Sequence, residues 1–493
     1  MASVARALTG LGALLLALGP ALVAPAPSSA EEGAGASTAR ASRPPEAVVA
    51  DLQAYIPERL ASADVPGLAV ALVHEGEVVW QAGFGVANTL TDEPVTEDSV
   101  FAVASLSKPV AAYIALDLVD SGRLDLDEPV HGRFEDPWLP PSERADRITL
   151  RHLLAHTSGL SNRLHPLDKS VGFPPGERFS YSSVGYQYLQ AVIEQAAGSS
   201  LERVARETVF EPLAMRSTSF AESPGVMGRL VSGHITYGAD LGPLVVALGV
   251  CVALVSLVGM AVLRLTRGRT ALTWRHLTAF YAAGAAAALV LAAWLNGGLN
   301  KWSLLAALLV VALSAWLAIW LAGGRLLIRR APALWSSRRR RTALGLGYFL
   351  CCVLTFAALA GAVSGPVPER PSPAPGAAYS LKSTAGDLAR FMIELAEPAH
   401  LDAGTAAEMV RPQVRTSGSN SWGLGVGVYH AADGDWLWHA GDDLDFHALM
   451  VMRPGTGDGV VVLVNGQAGQ SVVYDVARRA MGVEFTWSRS ADR

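Results

Sequence analysis

Cysteine is scarce in this chain and absent from its polar parts. Three cysteines occur among 493 residues, and Cys251, Cys351 and Cys352 all lie in one apolar middle stretch. The polar parts therefore have no disulfide bond and no thiol nucleophile. Catalysis in these parts has to use an oxygen or nitrogen nucleophile, or a metal.

Signatures of several other protein classes are also missing. No Gly-x-Ser-x-Gly sequence occurs, so the nucleophile elbow of an α/β-hydrolase is absent. The eleven histidines show no His-Glu-x-x-His or other tight spacing of metal ligands, and we expect no metal and no other cofactor. The arginine runs flank apolar segments, where they are explained as orientation signals, so nucleic acid is not an expected partner.

Acidic residues are nearly absent from residues 236–364. This stretch has twelve basic residues and one acidic residue, a net charge of +11, whereas the rest of the chain has 27 basic and 43 acidic residues, a net charge of −16. It contains four uncharged runs of 22 or 23 residues, namely 241–263, 277–299, 302–324 and 342–363. Helices of that length rise roughly 33 to 35 Å, enough for the ~30 Å core of a bilayer. We predict a four-helix transmembrane insert with the lipid bilayer as partner.

Basic residues orient this insert. Arginines fill the loops between spans one and two and between spans three and four, so both loops are expected to be cytoplasmic, while the middle loop has only Lys301. Four spans return the chain to the outer face. Residues 1–30 have the pattern of a signal peptide cleaved after Ala30, with an uncleaved anchor as the competing interpretation. We expect a multi-pass protein of the cell membrane with its polar parts on the extracytoplasmic side.

The two polar parts have the patterns of two halves of one domain. The first, residues 46–235, contains a predicted strand hairpin, 68–73 and 78–84, around a turn at 74–77. The second, residues 379–487, contains four predicted strands, 422–429, 436–439, 446–452 and 460–464, and a helix at 472–481. Neither half has a complete core, so we predict an α+β fold in which both halves form one antiparallel sheet with flanking helices. Residues 31–45 and 365–378, rich in Pro, Ala, Gly and Ser, are predicted linkers.

One serine and one lysine carry the first chemical signal. Ser105 stands three residues before Lys108, and the apolar run 110–119 predicts a helix, on which positions i and i+3 share a face. Pro109 fits only near the start of that helix, which places Ser105 at the positive end of the helix dipole. Arginine outnumbers lysine by 35 to 4, yet this position holds the cation that can lose its proton when it is desolvated. We expect Ser105 to be a nucleophile and Lys108 to handle its proton.

Two further segments carry polar groups of the same kind. Tyr181-Ser-Ser183 follows a Pro/Gly loop and precedes a helix predicted at 187–197, where a tyrosine can relay a proton to a leaving group; a packed aromatic residue is the alternative. His439-Ala-Gly441-Asp442 ends a predicted strand, whose edge can offer a backbone N–H to an oxyanion; an ordinary surface histidine is the alternative.

In this order, these three segments resemble the serine β-lactamase and penicillin-binding-protein superfamily, and within it the class C β-lactamase-like hydrolases and esterases. The resemblance covers residues 48–220 and 379–481 and includes three more phrases, which are Leu153-Leu-Ala-His156-Thr-Ser-Gly159-Leu, Phe210-Glu-Pro-Leu-Ala-Met215 and Leu381-Lys-Ser-Thr-Ala-Gly-Asp-Leu-Ala-Arg-Phe391. It implies a β-lactamase/transpeptidase-like fold with a helical domain. The phrase around His156 looks structural in this superfamily, so His156 is not included in the site.

The resemblance also implies roles for the residues of the three segments. Ser105 would be acylated by a carbonyl substrate, Lys108 and Tyr181 would exchange the protons, and water activated by Tyr181 with the deprotonated Lys108 beside it would release the acyl group. Backbone N–H groups of Ser105 and Asp442 would form the oxyanion hole. The substrate-facing residues would be Ser183, His439, Gly441 and Asp442.

The sequence departs from the superfamily at the substrate-facing positions. The third element, often Lys-Thr-Gly in β-lactamases and His-x-Gly in esterases and peptidases, is His439-Ala-Gly441 here. Ser183 replaces the asparagine of the usual Tyr-x-Asn, which removes a two-way hydrogen-bonding group. Asp442, with Asp443 and Asp445, places three carboxylates on the oxyanion side and is expected to repel an anionic substrate. We therefore expect weak or absent penicillin hydrolysis.

The sequence thus favours a membrane-anchored serine hydrolase that acts on an ester, an amide or a D-amino-acid peptide outside the cytoplasm, with a small-molecule or peptide carbonyl compound, such as cell-wall material, as substrate. Two alternatives stay open. The first is an acylatable or ligand-binding receptor of the penicillin-receptor kind without efficient turnover, and the second is a weak β-lactamase.

Overall fold

The computed structural model of the chain describes residues 43–164, 167–235, 365–367 and 375–485. The predicted signal peptide, most of the first linker, the four predicted membrane spans and part of the second linker lie outside these residues. None of the described helices is both long and apolar enough to cross a bilayer.

The described residues form strands and helices from both polar parts of the sequence. The strands are β1 Gly67–His74, β2 Glu77–Asn88, β3 Glu93–Pro94, β4 Phe101–Ala102, β5 Gly233–Ile235, β6 Gly365–Val367, β7 Lys382–Ser383, β8 Val414–Ser417, β9 Asn420–Trp422, β10 Gly427–Ala431, β11 Gly434–Asp442, β12 His447–Arg453 and β13 Asp458–Val464. The α-helices are α1 Pro45–Ala63, α2 Ser107–Asp120, α3 Leu150–Leu154, α4 Ser183–Ala197, α5 Leu201–Ala205, α6 Pro224–Met227, α7 Ala385–Ala396, α8 Ala403–Val410 and α9 Gly469–Met481.

Nine of these strands form one antiparallel sheet in the order β3-β2-β1-β13-β12-β11-β10-β9-β8. The first half of the sequence supplies β1 to β3, and the second half supplies β8 to β13. The two halves meet where β1 pairs with β13, with Leu68 opposite Val464 and Val73 opposite Gly459. The predicted α+β architecture, with one antiparallel sheet built by both halves, is confirmed.

Both faces of the sheet are covered, which explains the nearly continuous apolar runs in its central strands. Alternate residues of β1 point to opposite faces, so Leu68 packs with one hydrophobic cluster and Ala69 with the other. The face of the sheet on which Leu68 lies packs against α1 and α9, and we call it the helix-pair face. Its hydrophobic cluster contains Leu52 and Ile56, both fully buried. The opposite face, which we call the site face, lies against α2, α4 and α7.

One predicted strand is wrong in its extent. Residues 422–429 were expected to form a single strand, but β9 ends at Trp422 and β10 begins at Gly427. Gly425 lies between them with φ +94°, and a Cβ atom there would lie 2.3 Å from the Cβ of Ala112 on α2. The chain leaves the strand conformation because it passes this close to the helix.

The other predicted elements occur with shifted ends. The hairpin at 68–84 forms β1 and β2, and its turn contains Glu75 at φ +51° and Gly76 at φ +76°. The helix predicted at 187–197 begins earlier, at Ser183, because Ser182 is its N-cap and accepts a hydrogen bond from Gly185 N–H at 2.8 Å. Tyr181 directly precedes this N-cap, so it lies at the N-terminus of α4.

Candidate active site

Ser105 lies in a tight turn that enters α2. It is the central residue of a single 3₁₀ turn, Ala104–Leu106, and α2 begins two residues later at Ser107. Ala104 has φ +46°, a left-handed conformation that is uncommon for a residue with a side chain and that persists where the surroundings impose it. The Ser107 hydroxyl donates to Ala104 O at 2.6 Å and accepts from Leu381 N–H at 3.0 Å, so the second half of the chain holds this turn in place.

Lys108 lies one turn further along, on the same face as Ser105. Its Nζ lies 2.9 Å from Ser105 Oγ and donates to Ala378 O at 2.7 Å. The side chain is completely buried, and burial lowers the pKa of the Lys108 ammonium to about 7. A large fraction of Lys108 is therefore neutral near neutral pH and can accept a proton from Ser105.

Tyr181 lies beside the same serine and lysine. Its ring centroid lies 4.8 Å from Lys108 Nζ, and the Ser105 side chain is close enough to affect the pKa of its phenol. Burial raises the pKa of the Tyr181 phenol well above its usual range; the Asp442 carboxylate adds to this, and the Ser105 side chain acts against it. At neutral pH Tyr181 is therefore a proton donor, and the base of this group is Lys108. The activation of water expected of Tyr181, with the deprotonated Lys108 beside it, stays a prediction.

Strand β11 passes directly beside the Ser105 turn because Gly441 has no side chain. A Cβ atom at Gly441 would lie 2.2 Å from Val103 O and 3.3 Å from Leu106 N. Asp443 N–H donates to Phe446 O at 2.9 Å across the turn into β12. Successive residues of a strand direct their N–H groups to opposite sides, so the N–H of Asp442 points away from β12. It is thus available for an oxyanion bound at Ser105.

Sequence comparison identifies the family of this chain. The sequence model of the Beta-lactamase family matches residues 52–350 and 354–483. The chain belongs to the beta-lactamase family.

Two curated proteins and one solved structure are among those similar to this chain. Esterase EstB of Burkholderia gladioli is 30% identical over 36% of this chain and 52% of its own length, and penicillin-binding protein 4 of Amycolatopsis lactamdurans is 29% identical over 36% of this chain and 51% of its own length. The chain thus spans about half the length of the curated relatives it matches. The crystal structure of the D-amino acid amidase of Ochrobactrum anthropi SV3 has a TM-score of 0.56 at 18% identity, covers 88% of this chain and 98% of its own, and shows the same fold.

His439 of this beta-lactamase family member is almost completely buried. Only 1% of its surface is exposed. Its Nδ1–H donates to Ala440 O at 2.8 Å, and its Nε2 is buried with no hydrogen-bond partner among the described residues. Burial lowers the pKa of the His439 imidazole to about 3, and Lys108 contributes. His439 is therefore neutral and offers no positive charge to a substrate carboxylate.

The Asp442 side chain turns away from the nucleophile, which alters the expectation of three carboxylates crowding the site. Side chains alternate along β11, so Asp442 leaves the sheet on the face opposite to His439 and Gly441. Its Oδ1 accepts from His447 Nδ1 at 2.8 Å, on the strand next to it. The carboxylate still raises the pKa of Tyr181 from a distance, but it does not occupy the substrate side of Ser105.

Ser183 lies where expected, at the first turn of α4, and an amide from elsewhere in the chain accompanies it. Ser183 N–H donates to Asn162 Oδ1 at 3.0 Å. Asn162 is exposed and precedes Ser183 by 21 residues, so no spacing rule in the sequence connects the two. An amide group thus stands beside the position where Ser183 was predicted to replace one.

His156, which the sequence resemblance marks as structural, packs against Tyr181. The histidine is fully buried, and its ring centroid lies 4.3 Å from that of Tyr181 and 5.3 Å from that of Trp422. Trp422 also lies 5.4 Å from the ring of His439, so one aromatic cluster supports both Tyr181 and His439.

A cavity of about 560 Å³ opens along α4. Gln187, Gln190 and Glu194 line it from the helix, and Leu164 and Tyr379 line it from two neighbouring segments. Ser183, Gln187, Gln190 and Glu194 follow the i, i+4, i+7, i+11 spacing of one helix face, which spans roughly 16 Å at about 1.5 Å per residue. The cavity therefore lies on the helix face that Ser183 begins, but none of Ser105, Lys108 and Tyr181 lines it.

Proposed function

We propose that the chain is a membrane-anchored, class C β-lactamase-like serine hydrolase that forms an acyl-enzyme with an ester, amide or D-amino-acid peptide outside the cytoplasm. One observation carries this proposal, the contact of 2.9 Å between Ser105 Oγ and a buried Lys108 whose pKa is lowered to about 7. A buried lysine that is neutral near pH 7 is the base that a serine nucleophile needs.

Acylation then proceeds with a closed balance of protons. Neutral Lys108 takes the proton of Ser105 as Oγ bonds to the substrate carbonyl carbon, and the carbonyl oxygen becomes an oxyanion held by the N–H groups of Ser105 and Asp442. The Tyr181 phenol gives its proton to the leaving alcohol or amine as the bond to that group breaks. Lys108 then returns a proton to Tyr181 and is neutral again.

Deacylation repeats these steps with water in place of Ser105. Lys108 takes a proton from water as the water oxygen bonds to the ester carbon, and Ser105 leaves as the acyl-oxygen bond breaks. Ser105 regains a proton through Tyr181 or Lys108, and the free acid departs. The high pKa of Tyr181 keeps a proton available in both half-reactions.

The cavity along α4 supports a substrate with a sizeable group on one side of its carbonyl. Its volume of about 560 Å³ is typical of a small-molecule site. Tyr379 follows Ala378, whose carbonyl accepts from Lys108, and Leu164 stands two residues after Asn162, which binds Ser183. Because apolar and amide side chains and the single carboxylate of Glu194 share its walls, we propose an uncharged apolar or aromatic amide or ester substituent as its occupant.

The neutral His439 argues against β-lactams and C-terminal carboxylates as preferred substrates. A cation at that position could pair with the carboxylate of such a molecule, whereas a neutral imidazole whose Nδ1–H already donates to Ala440 O cannot. Esters, amides and peptides whose carbonyl carries no adjacent carboxylate are therefore the favoured class.

A substrate panel tests the proposed function. Full-length protein in membranes would be given a p-nitrophenyl ester, a D-amino acid amide, a D-alanyl dipeptide and nitrocefin, with Ser105→Ala as matched control. We expect turnover of the ester or amide that Ser105→Ala abolishes, and little turnover of nitrocefin. Rapid nitrocefin turnover that depends on Ser105 would contradict the substrate assignment, and stable acylation without turnover would favour a receptor.

Fractionation tests the proposed membrane anchor. The four uncharged runs within residues 236–364 and their arginine-rich flanks support a multi-pass topology with the catalytic domain outside. We expect the protein to stay with membranes after alkaline carbonate extraction and to react with a membrane-impermeant fluorophosphonate on intact cells. Release by carbonate, or labelling only after lysis, would contradict the topology.

A further inference from the structure

His156 occupies an unusual position at the end of α3. It is fully buried and has φ +56°, a left-handed conformation in an interior turn. Residues are held in such conformations only where the surrounding structure requires them. Here the turn directs both the carbonyl and the imidazole of His156 towards the loop that contains Tyr181.

The hydrogen bonds of His156 bracket Tyr181 on both sides. His156 O accepts from Ser180 N–H at 2.8 Å, and His156 Nδ1 accepts from Ser182 N–H at 3.1 Å. The imidazole also lies flat enough against the phenol ring, at an interplanar angle of 35° and a centroid distance of 4.3 Å, to restrict the ring itself. One residue thus fixes the backbone before Tyr181, the backbone after it and one face of its side chain.

We call the two hydrogen bonds of His156 to Ser180 and Ser182, together with its ring contact with Tyr181, the His156 clamp. The clamp requires one tautomer of the neutral imidazole. Nδ1 can accept from Ser182 only when it carries no hydrogen, so the proton of the neutral ring is on Nε2. Lys108, His439, Tyr181 and Tyr186 face this ring, and none of them is an anion at neutral pH. Burial lowers the pKa of His156 well below its usual range, with Lys108 and His439 adding to the effect. The clamp is therefore intact throughout the neutral pH range.

We infer that His156 is a positioning residue that holds the Tyr181 hydroxyl against Ser105 through the Ser180 and Ser182 backbone and by ring packing. Among the described residues, no hydrogen bond or ring contact joins it to Ser105, and it acts through Tyr181. This inference rests on the proposed function, because it assigns a task to the proton donor of that reaction.

Two substitutions of His156 distinguish the loss of its contacts with the Tyr181 loop from the loss of its left-handed backbone conformation. A third substitution, at Tyr181, provides the background for the comparison. His156→Asn keeps a residue that tolerates positive φ and places Oδ1 at the same branch position as Nδ1, so the bond from Ser182 N–H can persist. His156→Gly also tolerates positive φ but removes the acceptor and the ring. Tyr181→Phe removes the hydroxyl that the clamp is inferred to position and keeps the ring.

The test is a double-mutant cycle on the single-turnover rate at which an alkyl ester, whose leaving alcohol needs a proton, acylates the full-length protein, with kcat and KM for the same ester measured alongside. Acylation is stoichiometric and can be followed in slow variants. We expect His156→Gly to lower the acylation rate about 10- to 100-fold with Tyr181 present, and less than about threefold in the Tyr181→Phe background. The ester data should show the loss in kcat and little change in KM. His156→Asn should restore most of the rate.

Each other outcome has a definite meaning. Equal losses in both backgrounds, or a loss that appears mainly in KM, would overturn the positioning role. If His156→Gly does not fold, as judged by its melting curve, His156→Asn decides the matter in the same cycle: an intact fold with a rate loss that persists in the Tyr181→Phe background would overturn the role. Absence of Ser105-dependent acylation in the unmodified protein would instead contradict the proposed function.

Discussion

Both faces of the nine-stranded sheet are covered by apolar side chains, but the two faces differ in their polar content. On the helix-pair face, α1 and α9 contribute apolar side chains such as Leu52, Ile56 and Val476 to the core. On the site face, Lys108, His156 and His439 are buried among similar apolar residues, and their pKa values are lowered by burial. Burying ionisable groups opposes stability, so their concentration on one face indicates where function overrides stability.

The largest expected effect is that of Lys108→Met, which removes the base from the site face. Loss of a positioned acid-base group should lower kcat/KM by about 10³- to 10⁴-fold. Thermal stability should stay the same or increase, because methionine replaces a buried amine with apolar volume. Steady-state kinetics and a melting curve on the same sample test both statements. A clear drop in melting temperature would show that Lys108 is structural.

Ile56→Ala should have the opposite profile, since it opens a cavity on the helix-pair face. Truncation of a fully buried isoleucine costs about 2 to 5 kcal/mol of unfolding free energy. The turnover number of the folded fraction should stay within about twofold of the unmodified value, because the site lies across the sheet. Urea unfolding and activity assays measure the two effects, with the exposed Gln53→Ala on the same helix as control. A large loss of turnover in folded protein would contradict the claim that the helix-pair face contributes to stability and not to catalysis.

Gly441→Ala tests the close approach of β11 to the nucleophile. A Cβ at this position would lie 2.2 Å from Val103 O, so the strand or the Ser105 turn has to move. We expect kcat/KM to fall about 100-fold, the size of effect seen when catalytic geometry shifts by about 1 Å. Gly455→Ala, where no atom lies within 4 Å of the added Cβ, is the control and should be neutral. Full activity in Gly441→Ala would contradict the proposed oxyanion geometry.

The smallest expected effect is the dependence on pH. Burial lowers the pKa of Lys108 to about 7, so its neutral, basic form disappears as the pH falls through 7. The rate constant kcat/KM should fall about tenfold per pH unit below that value and level off above it. Stability should rise between about pH 7 and the ordinary lysine pKa of about 10.4, because only the unfolded chain binds this proton there. A pH profile of acylation and of urea unfolding measures both, and an activity that is flat from pH 5 to pH 8 would contradict Lys108 as base.

The nucleophile, its lysine and the sheet could be predicted because they depend on short-range patterns. Ser105 and Lys108 are related by helical spacing, and the strands of both halves show apolar runs that pair whatever lies between them. The orientation of the Asp442 side chain could also be predicted from the sequence. Side chains alternate between the two faces along β11, so Asp442 lies on the face opposite to His439 and Gly441. The number of carboxylates near a strand end does not by itself indicate how many face the nucleophile, because neighbouring residues lie on opposite faces.

Other features of the site depend on contacts that no local pattern encodes. The bonds from His156 to the residues beside Tyr181 span about 25 positions and require the left-handed turn at His156. The Ala378 carbonyl that binds Lys108, and Asn162 beside Ser183, are joined to the site only by the tertiary fold. The break between β9 and β10 arises in the same way, from the packing of Gly425 against α2.

The most direct measurement is the mass-spectrometric mapping of a fluorophosphonate adduct on the full-length protein. The account predicts one adduct per chain, on Ser105, with no adduct in Ser105→Ala and slow formation in Lys108→Met. An adduct on another residue, or equal labelling of Ser105→Ala, would contradict the central claim that Ser105 and Lys108 form the reactive centre.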